Sequence, residues 1–544
     1  MTAKRMISLV SSLLALLLAV GFIARTQVLP RMIGSQSADT PSPISNPKNS
    51  RIDSIDPSGC GRCHRAEVAG FALSAMSHSM RVGGNEPNGE VELPGAKLSI
   101  SSSSTGSWQR LESDGHTIQY HVDYVVGSGK HASGYLVSIS SHLFQSPIAY
   151  YRSRHGYDLA PGYEGRADPD FKRAITPGCL FCHSGRAEPV AGTENEYQSP
   201  PFSHLAIGCS RCHGPTEAHL AHPGSTTIVN PARLQGAARD SICEQCHLLG
   251  VAQVLNPGKR SSDFRPGTSL EDTYTVYVNE LLPGTASKFK VISHVEQLAL
   301  SMCSRKSNGR LWCGTCHDPH RDPVQPAAFY RSKCLSCHTA AFPETHPSAG
   351  SNCIGCHMPK RDAKDGGHTA FTDHRIQRQS EPERPIKEDI DISAWREPPD
   401  ANLGKRNLGI ASIQVGMERQ AGAFIVRGYR MLTEVQGPFS DDPALYHWMG
   451  TALLWGRQYS EAEKAYGRAF ELNPASAIAE ADLGQAYASA GEWDTATRYL
   501  EDALAKDFLN LSVATLLMDI YHEQGDTAKA AELSKRMRAA MKQP

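Results

Sequence analysis

The pattern C-x-x-C-H occurs seven times in this chain and constrains its fold more than any other feature. The copies lie between residues 60 and 357 of a 544-residue sequence and read CGRCH, CLFCH, CSRCH, CEQCH, CGTCH, CLSCH and CIGCH. This composition would produce about 0.02 such motifs by chance, so the count excludes coincidence. The motifs contain fourteen of the fifteen cysteines, namely Cys60, Cys63, Cys179, Cys182, Cys209, Cys212, Cys243, Cys246, Cys313, Cys316, Cys334, Cys337, Cys353 and Cys356.

This spacing is typical of covalent haem attachment. Two thiols three residues apart can form thioethers to the two vinyl groups of one porphyrin, and the adjacent histidine then supplies a nitrogen to the iron. Zinc sites do not require a histidine after every second cysteine, and a disulfide framework gives the histidines no role. We therefore predict seven covalently bound haem c groups, whose proximal iron ligands are His64, His183, His213, His247, His317, His338 and His357.

Sixteen of the 23 histidines lie outside the motifs, and fourteen of these are candidates for the second axial ligand, since His447 and His522 lie in the repeats. A histidine on the far face of a haem makes the iron six-coordinate and favours electron transfer, whereas an open face allows substrate chemistry. The best candidates lie within or between the motifs, and they are His78, His204, His219, His294, His320, His346, His368 and His374. These are eight candidates for seven irons, so at least one is wrong or the pattern of ligands differs. His131 and His155 are reserves, and His222 competes with His219.

Several other side chains near the motifs have open roles. Met76 and Met358 are alternative iron ligands, although the supply of histidine argues against them. Asp318 and Asp373 are predicted to orient neighbouring imidazoles by hydrogen bonds. Cys303 lies outside the motifs, and a buried thiol, an unusual axial ligand and an intermolecular link are its three alternatives.

The sequence around the motifs contains two regions that predict different structure. Between about 91 and 152, the stretches KLSISSSS, HTIQYHVDYVV and YLVSISSHL alternate apolar and polar residues, which predicts a small inserted antiparallel sheet. From 179 to 374, glycine and proline are frequent and periodicity is weak, so we expect porphyrin to fill the interior. The predicted fold is a haem-packed multihaem cytochrome c domain, mostly irregular and α-helical with that small β-sheet, followed by an all-α tetratricopeptide-repeat solenoid.

The repeats are predicted from a period of 34 residues in the C-terminal part. Gly450 recurs as Gly484, and Ala462 recurs as Ala496 and Ala530. Small residues at a fixed interval let paired helices cross closely, and this period resembles that of tetratricopeptide repeats. Two clear copies span about 442–509, a weaker copy about 510–541 and a degenerate copy about 404–437.

The N-terminus predicts export. Two basic residues, Lys4 and Arg5, precede an uncharged run at 6–24, which fits a signal peptide or a single uncleaved membrane anchor. We assign 1–34 to this segment, 35–58 to a flexible tether, 59–380 to the haem domain, 381–403 to a linker and 404–544 to the repeats. The net charge of −1 gives no argument for a nucleic-acid partner.

Several motif-containing stretches resemble a known family. IGCSRCHGPTEAH, SICEQCH, LWCGTCHDPH, CIGCHMPK and FTDHRI are similar to sequences of the cytochrome c-552/c-554-like multihaem family, in the branch where a haem domain precedes tetratricopeptide repeats. The resemblance covers about 60–376 and 404–541, and it implies stacked haems and electron transfer. The related nitrite reductases commonly have C-x-x-C-K at the catalytic haem, whereas all seven motifs here end in histidine.

The sequence therefore favours an exported, periplasmic seven-haem cytochrome over an enzyme. It would exchange electrons with a redox protein donor and acceptor, and its repeats would dock a protein partner or further copies of the chain. The alternative is an oxidoreductase that acts on a small nitrogen or sulfur compound at one five-coordinate haem.

Overall fold

A computed structural model describes residues 59–113, 115–164, 169–224, 227–280, 290–291, 294–338, 352–378 and 390–541. The predicted targeting segment, the tether and the candidate ligand His346 lie outside these ranges. Among the helices that the structure describes, none has the length and apolar character needed to cross a membrane.

Antiparallel strands dominate residues 80–174. They are β1 (Met80–Val82), β2 (Gly89–Leu93), β3 (Ala96–Ser103), β4 (Gly106–Ser113), β5 (His116–His121), β6 (Tyr124–Val126), β7 (Ala132–Ile139), β8 (His142–Gln145), β9 (Ile148–Tyr151), β10 (Gly156–Leu159) and β11 (Arg173–Ala174). One sheet has seven strands: it runs β1-β6-β7-β8-β11, β9 pairs with β7, and β10 pairs with β9. Strands β2 to β5 form a separate four-stranded meander.

The meander follows from alternation along its strands. Leu98 lies opposite Leu111 across the β3–β4 pair, and both side chains are buried, as is Ile100 two residues along β3. Successive side chains of a strand point to opposite faces, so these apolar residues share the face that packs on the core. Gly115 connects β4 to β5 with a φ of 74°, a conformation that glycine adopts at little cost.

The predicted fold class is wrong for the half of the chain that contains the motifs. We expected mostly irregular and helical chain around porphyrin with one small sheet, but the structure has a multi-sheet antiparallel region that extends well beyond 91–152. This region buries its own apolar side chains: Tyr135, Val137 and Ile139 are each at most 1% exposed. Because β7 also buries Leu136, both of its faces are covered.

Short helices, 3-10 turns and strands make up the described residues from 177 to 394. The helices are α1 (Arg65–Phe71), before the sheets, and then α2 (Pro177–His183), α3 (Ser210–His213), α4 (Glu217–Ala221), α5 (Gly236–His247), α6 (His294–Leu300), α7 (Met302–Lys306), α8 (Cys313–Cys316), α9 (Pro326–Leu335) and α10 (Cys353–His357). The 3-10 turns are Cys60–Arg62, Pro231–Arg233, Ser261–Asp263 and Leu270–Asp272. The strands are β12 (Arg186–Pro189), β13 (Tyr197–His204), β14 (Ala252–Leu255), β15 (Tyr274–Asn279), β16 (Lys360–Asp362), β17 (Ala370–Thr372) and β18 (Ile392–Ala394).

The strands of this segment form small antiparallel sheets. Strand β12 pairs with β13, β16 pairs with β17, and β14, β15 and β18 form a three-stranded sheet. The last of these is notable because 392–394, which the sequence assigned to a linker, contributes its edge strand.

The C-terminal part is all-α. Its helices are α11 (Ala401–Arg419), α12 (Gly422–Val435), α13 (Pro443–Trp455), α14 (Tyr459–Leu472), α15 (Ala477–Ala490), α16 (Trp493–Lys506), α17 (Leu511–Glu523) and α18 (Thr527–Ala540). Asp442, Ser476 and Asn510 precede α13, α15 and α17 at intervals of 34 residues, and each side chain accepts a hydrogen bond from a backbone N–H of the helix. Such N-caps satisfy backbone donors that have no partner within the helix.

Small residues allow the paired helices to approach. A Cβ atom at Gly450 would lie 2.9 Å from the ring of Tyr466, and one at Gly484 would lie 2.8 Å from Leu500. Ala462 and Ala496 are fully buried in the partner helices. The 34-residue period of the sequence is therefore the period of these close crossings.

The helices pack against the sheets. One continuous hydrophobic cluster contains Leu98 and Val137 from the strands together with Leu500 and Leu517 from the helices. A second cluster joins Val254 and Tyr277 of the three-stranded sheet to α11 and the helices that follow it.

Candidate functional site

Each motif folds as a single helical turn that places its three functional side chains together. In four motifs the backbone N–H of the histidine donates to the carbonyl of the first cysteine at 2.9 Å; these histidines are His64, His213, His317 and His338. The second and fourth motifs lie at the ends of α2 and α5, and the seventh motif forms the whole of α10. Residues three and four positions apart share one face of a helix, so both thiols and the imidazole point the same way.

Three motif histidines face a second histidine at a nearly constant distance. The ring centroids of His64 and His219 are 6.4 Å apart, those of His213 and His320 are 6.0 Å apart, and those of His317 and His374 are 6.2 Å apart; the angles between the ring planes are 28°, 20° and 33°. Imidazole nitrogens bind transition metals at about 2 Å, so two rings on opposite sides of one ion have centroids roughly 6 Å apart. The spacing fits one iron between each pair.

A fourth motif histidine belongs to a tighter group. His247 lies 5.6 Å from His294, whose ring is in turn 4.8 Å from that of His374. The planes of His247 and His294 meet at 81°. His294 therefore lies where the fourth and fifth motifs approach each other. Among the described histidines, it is the best candidate for the second axial ligand of the haem at the fourth motif.

Hydrogen bonds at Nδ1 hold many of these rings. A backbone carbonyl can only accept, so Nδ1 carries the proton and Nε2 keeps the lone pair that binds a metal. The contacts to carbonyls are His213 to Val229 at 2.8 Å, His219 to Gly224 at 3.1 Å, His357 to Gln377 at 2.9 Å and His374 to Thr372 at 2.9 Å. The Nε2 atoms of His213, His219 and His374 are thus available as ligands.

The surroundings keep the clustered imidazoles neutral. Desolvation by the surrounding protein lowers the pKa of His183, His213, His247, His317 and His374. Burial followed by the neighbouring imidazoles of His374, His247 and His317 lowers the pKa of His294 to about 3. Metal binding requires the neutral ring, so no proton has to be displaced near pH 7.

Cysteines of different motifs also meet. The thiol of Cys182 hydrogen-bonds with that of Cys246, and the resulting stabilisation of the thiolate, helped by Arg211, lowers the pKa of Cys246 to about 7. Cys243 and Cys313 form a similar contact. The second, fourth and fifth motifs are therefore direct neighbours.

The predicted second ligands divide into two groups. His219, His294, His320 and His374 face motif histidines as described above. No motif histidine of the described residues faces the ring of His78, although its Nδ1 atom lies 2.9 Å from the Ser74 carbonyl, and His204 ends β13 as an exposed residue.

His368 has polar partners of its own. Its Nε2 atom lies 2.9 Å from Asp158 and 2.7 Å from Arg154, and its ring meets Tyr151 edge-on at 5.1 Å. The nitrogen that would bind iron is thus occupied by polar contacts at the surface.

The reserve residues lie apart from the facing rings. His131 packs against Phe371 at 4.6 Å, His155 is exposed with a φ of 48°, and His222 caps the end of α4. Met76 lies in the turns after α1, and Met358 caps the end of α10. Cys303, the cysteine outside the motifs, lies beside the sixth motif. Burial and the nearby Cys337 of that motif raise the pKa of its thiol.

Asp318 and Asp373, the two carboxylates predicted to orient imidazoles, make different contacts. Asp318 lies 3.2 Å from His320 Nδ1, the contact that the sequence suggested. Asp373 instead forms ion pairs with Arg361 and Arg375 at 2.8 and 2.6 Å.

Sequence reasoning missed several partners of the motifs. The Tyr330 hydroxyl lies 3.2 Å from His317 Nδ1, and the Arg211 guanidinium lies 3.9 Å from Cys246 Sγ and 4.3 Å from the ring centroid of Phe181. Only the tertiary fold brings these groups to the motifs, so no sequence signal marks them.

Comparison with known proteins adds little. No family model matches the chain, and no curated protein matches it. Among solved structures, "Crystal structure of MamA" is 20% identical and covers 26% of this chain and 79% of its own, with a TM-score of 0.24. "MamA MSR-1 C2" is 19% identical and covers 27% and 80%, with a TM-score of 0.23. Similarity at this level supports no functional argument.

Proposed function

We propose that this chain is an exported c-type cytochrome that binds seven haems covalently and transfers electrons along them. The observation that carries the proposal is the set of facing imidazoles. Three motif histidines each have a second histidine across a gap of 6.0–6.4 Å between ring centroids, which is the spacing that a six-coordinate iron needs. Seven C-x-x-C-H motifs supply the covalent attachment.

The residues present fit haem c. When bound, haem iron supplies one-electron chemistry. The chain holds the imidazoles in their neutral form, orients them through Nδ1, and presents two thiols on the same helical turn. The pairs also connect different motifs, because His219 follows the third motif but faces His64 of the first, and His320 follows the fifth but faces His213 of the third. This interlocking supports a continuous series of closely spaced sites.

Location, family and partners follow from the same proposal. Covalent haem attachment and the N-terminal targeting segment support export to the periplasm, with a cleaved signal peptide and a retained anchor as alternatives. The motif-containing stretches support membership of the cytochrome c-552/c-554-like family. We propose that a redox protein donor and acceptor exchange electrons with the haems, and that the C-terminal repeats bind a protein partner or further copies of this chain.

Haem content tests the proposal directly. The chain should be expressed with its own N-terminus in a host that matures c-type cytochromes, and the intact mass and the pyridine haemochrome spectrum should be measured. We expect seven covalent haems per polypeptide. Replacing Cys60 and Cys63 with alanine should leave six, whereas replacing Cys303, the cysteine outside the motifs, should leave seven. A colourless product or an unmodified mass would refute the proposal.

The alternative function is an oxidoreductase with one five-coordinate haem. His183 favours it, because among the described histidines none faces this ring at the spacing seen for the three pairs. Electron paramagnetic resonance of the oxidised protein distinguishes the two functions. A carrier shows low-spin iron throughout, whereas an enzyme shows a high-spin fraction of about one seventh that disappears on adding nitrite or cyanide.

A further inference from the structure

A second cluster of metal-ligating side chains lies away from the C-x-x-C-H motifs. It combines His142 of β8, Glu196 just before β13 and Asp507 at the end of α16. One ligand atom from each residue lies within 4.8 Å of the others, and His142 Nε2 is 2.8 Å from Asp507 Oδ1. Within the described part of the chain, no other group of three such side chains meets this criterion.

Three distant parts of the chain build this cluster. His142 and Glu196 are opposite each other in an isolated antiparallel bridge, so backbone pairing fixes their relative positions. Asp507 comes from the repeats, 365 residues after His142. The cluster therefore lies at the junction between the seven-stranded sheet and the helical part.

Burial makes the charge of the cluster significant. The side chains of His142 and Asp507 are 4% and 1% exposed, and Glu196 is half-buried. The Asp507 carboxylate is removed from water and lies beside a second carboxylate, which is costly unless a cation compensates the charge. A divalent cation bound to a neutral imidazole balances both carboxylates.

The atoms that do not face the centre are held by other groups. Asp507 Oδ2 accepts a hydrogen bond from the backbone N–H of Glu194 at 3.0 Å, and Glu196 Oε1 accepts one from the Ser141 hydroxyl at 2.8 Å. Metal ligands are typically oriented by such outer contacts. Tetrahedral zinc with bonds of about 2 Å places its ligands roughly 3.4 Å apart. The 2.8 Å between His142 Nε2 and Asp507 Oδ1 would therefore lengthen on binding, whereas Glu196, whose ligand atom lies within 4.8 Å of both, would move closer.

We propose that His142, Glu196 and Asp507 bind one divalent transition-metal ion, with zinc as the reference ion, and that this ion fastens the helical repeats to the sheet. One nitrogen and two carboxylate oxygens are donors that zinc accepts, with water in the fourth position. The site is distinct from the haem attachment proposed above, so it stands even if the haem proposal fails.

Zinc titration of the purified, metal-stripped protein tests the site. The protein should keep any covalently bound haem, so that cysteines and histidines already used do not bind zinc. Calorimetry should show one zinc equivalent for the unaltered chain, and the midpoint of thermal unfolding should rise with zinc concentration. Glu196→Gln should weaken this equivalent at least about tenfold, and His142→Gln should abolish it.

The matched control is Glu188→Gln. Glu188 lies on β12 of the same hairpin and contacts Ser203 rather than the cluster, so its variant loses the same charge and should bind zinc normally. Glu196 is only half-buried, so its variant decides the question even if His142→Gln fails to fold. Failure of the unaltered chain to bind zinc, or equal binding by the Glu196 and Glu188 variants, would show that the cluster is only a buried ion pair and would overturn the proposal.

Discussion

The assignment of His320 as the second ligand of the third haem can be tested by one substitution. We expect His320→Gly to remove one axial ligand from the iron whose other ligand is His213. The haem would remain attached, because Cys209 and Cys212 are unchanged. Its iron would become high-spin and open to added ligands, while the other six irons would keep their state.

The expected size of the effect follows from the geometry. The ring centroids of His213 and His320 are 6.0 Å apart with planes at 20°, and the Nδ1 atoms contact Val229 and Asp318. One iron fits between these rings. The variant should therefore convert about one seventh of the total iron from low-spin to high-spin, and added imidazole should reverse the change by occupying the vacated position.

A matched control is available in the same chain. His368 is also a predicted second ligand, but its Nε2 contacts Asp158 and Arg154. His368→Gly should therefore leave the spin states unchanged. The assay is low-temperature electron paramagnetic resonance of oxidised samples at equal haem content. A high-spin signal in the His368 variant and none in the His320 variant would refute the reasoning from ring geometry.

Two further predictions concern the helical part, and chemical denaturation monitored by circular dichroism measures both. Gly484→Ala should lower the free energy of unfolding by about 1–3 kcal/mol because the added Cβ would lie 2.8 Å from Leu500. Gly467→Ala should instead raise it by up to about 1 kcal/mol, since nothing lies within 4 Å of the added atom; the opposite order would contradict the proposed crossings. Arg406→Ala should cost about 3–5 kcal/mol because it leaves Asp442, 2.7 Å away and 1% exposed, as an unpaired buried charge. A loss below about 1 kcal/mol would mean that water reaches this carboxylate.

Sequence reasoning succeeded where a physical requirement repeats at a fixed interval. The helical crossings need a small residue every 34 positions, so the spacing of Gly450 and Gly484 in the sequence is enough to predict the spacing of the helices. The N-caps Asp442, Ser476 and Asn510 follow the same interval, but their identity varies because several polar side chains can cap a helix. The period is thus visible only in the residues that sterics restrict most.

The sheets were underestimated for a related reason. Alternation revealed β3, whose one face packs on the core, but β15, which lies outside the predicted sheet, buries Val276, Tyr277 and Val278 in succession. A strand covered on both faces has no period of two, and a short apolar run does not distinguish it from a buried helix. The weak periodicity of this half therefore led to the wrong expectation that porphyrin replaces a side-chain core.

The second ligands show why part of the site could not be derived from the sequence. A motif fixes its own histidine because both cysteines and the imidazole share one helical turn, but no local constraint ties the opposite histidine to it. His219 follows the third motif and faces the first, and His374 lies 57 residues from the ring it faces, at His317. His368 occupies an equally suitable position in the sequence, yet its Nε2 atom contacts Asp158 on the strand β10 instead of facing a motif histidine. Which histidine reaches a motif is thus decided by the packing of distant segments, and the contrast between His320 and His368 tests that dependence directly.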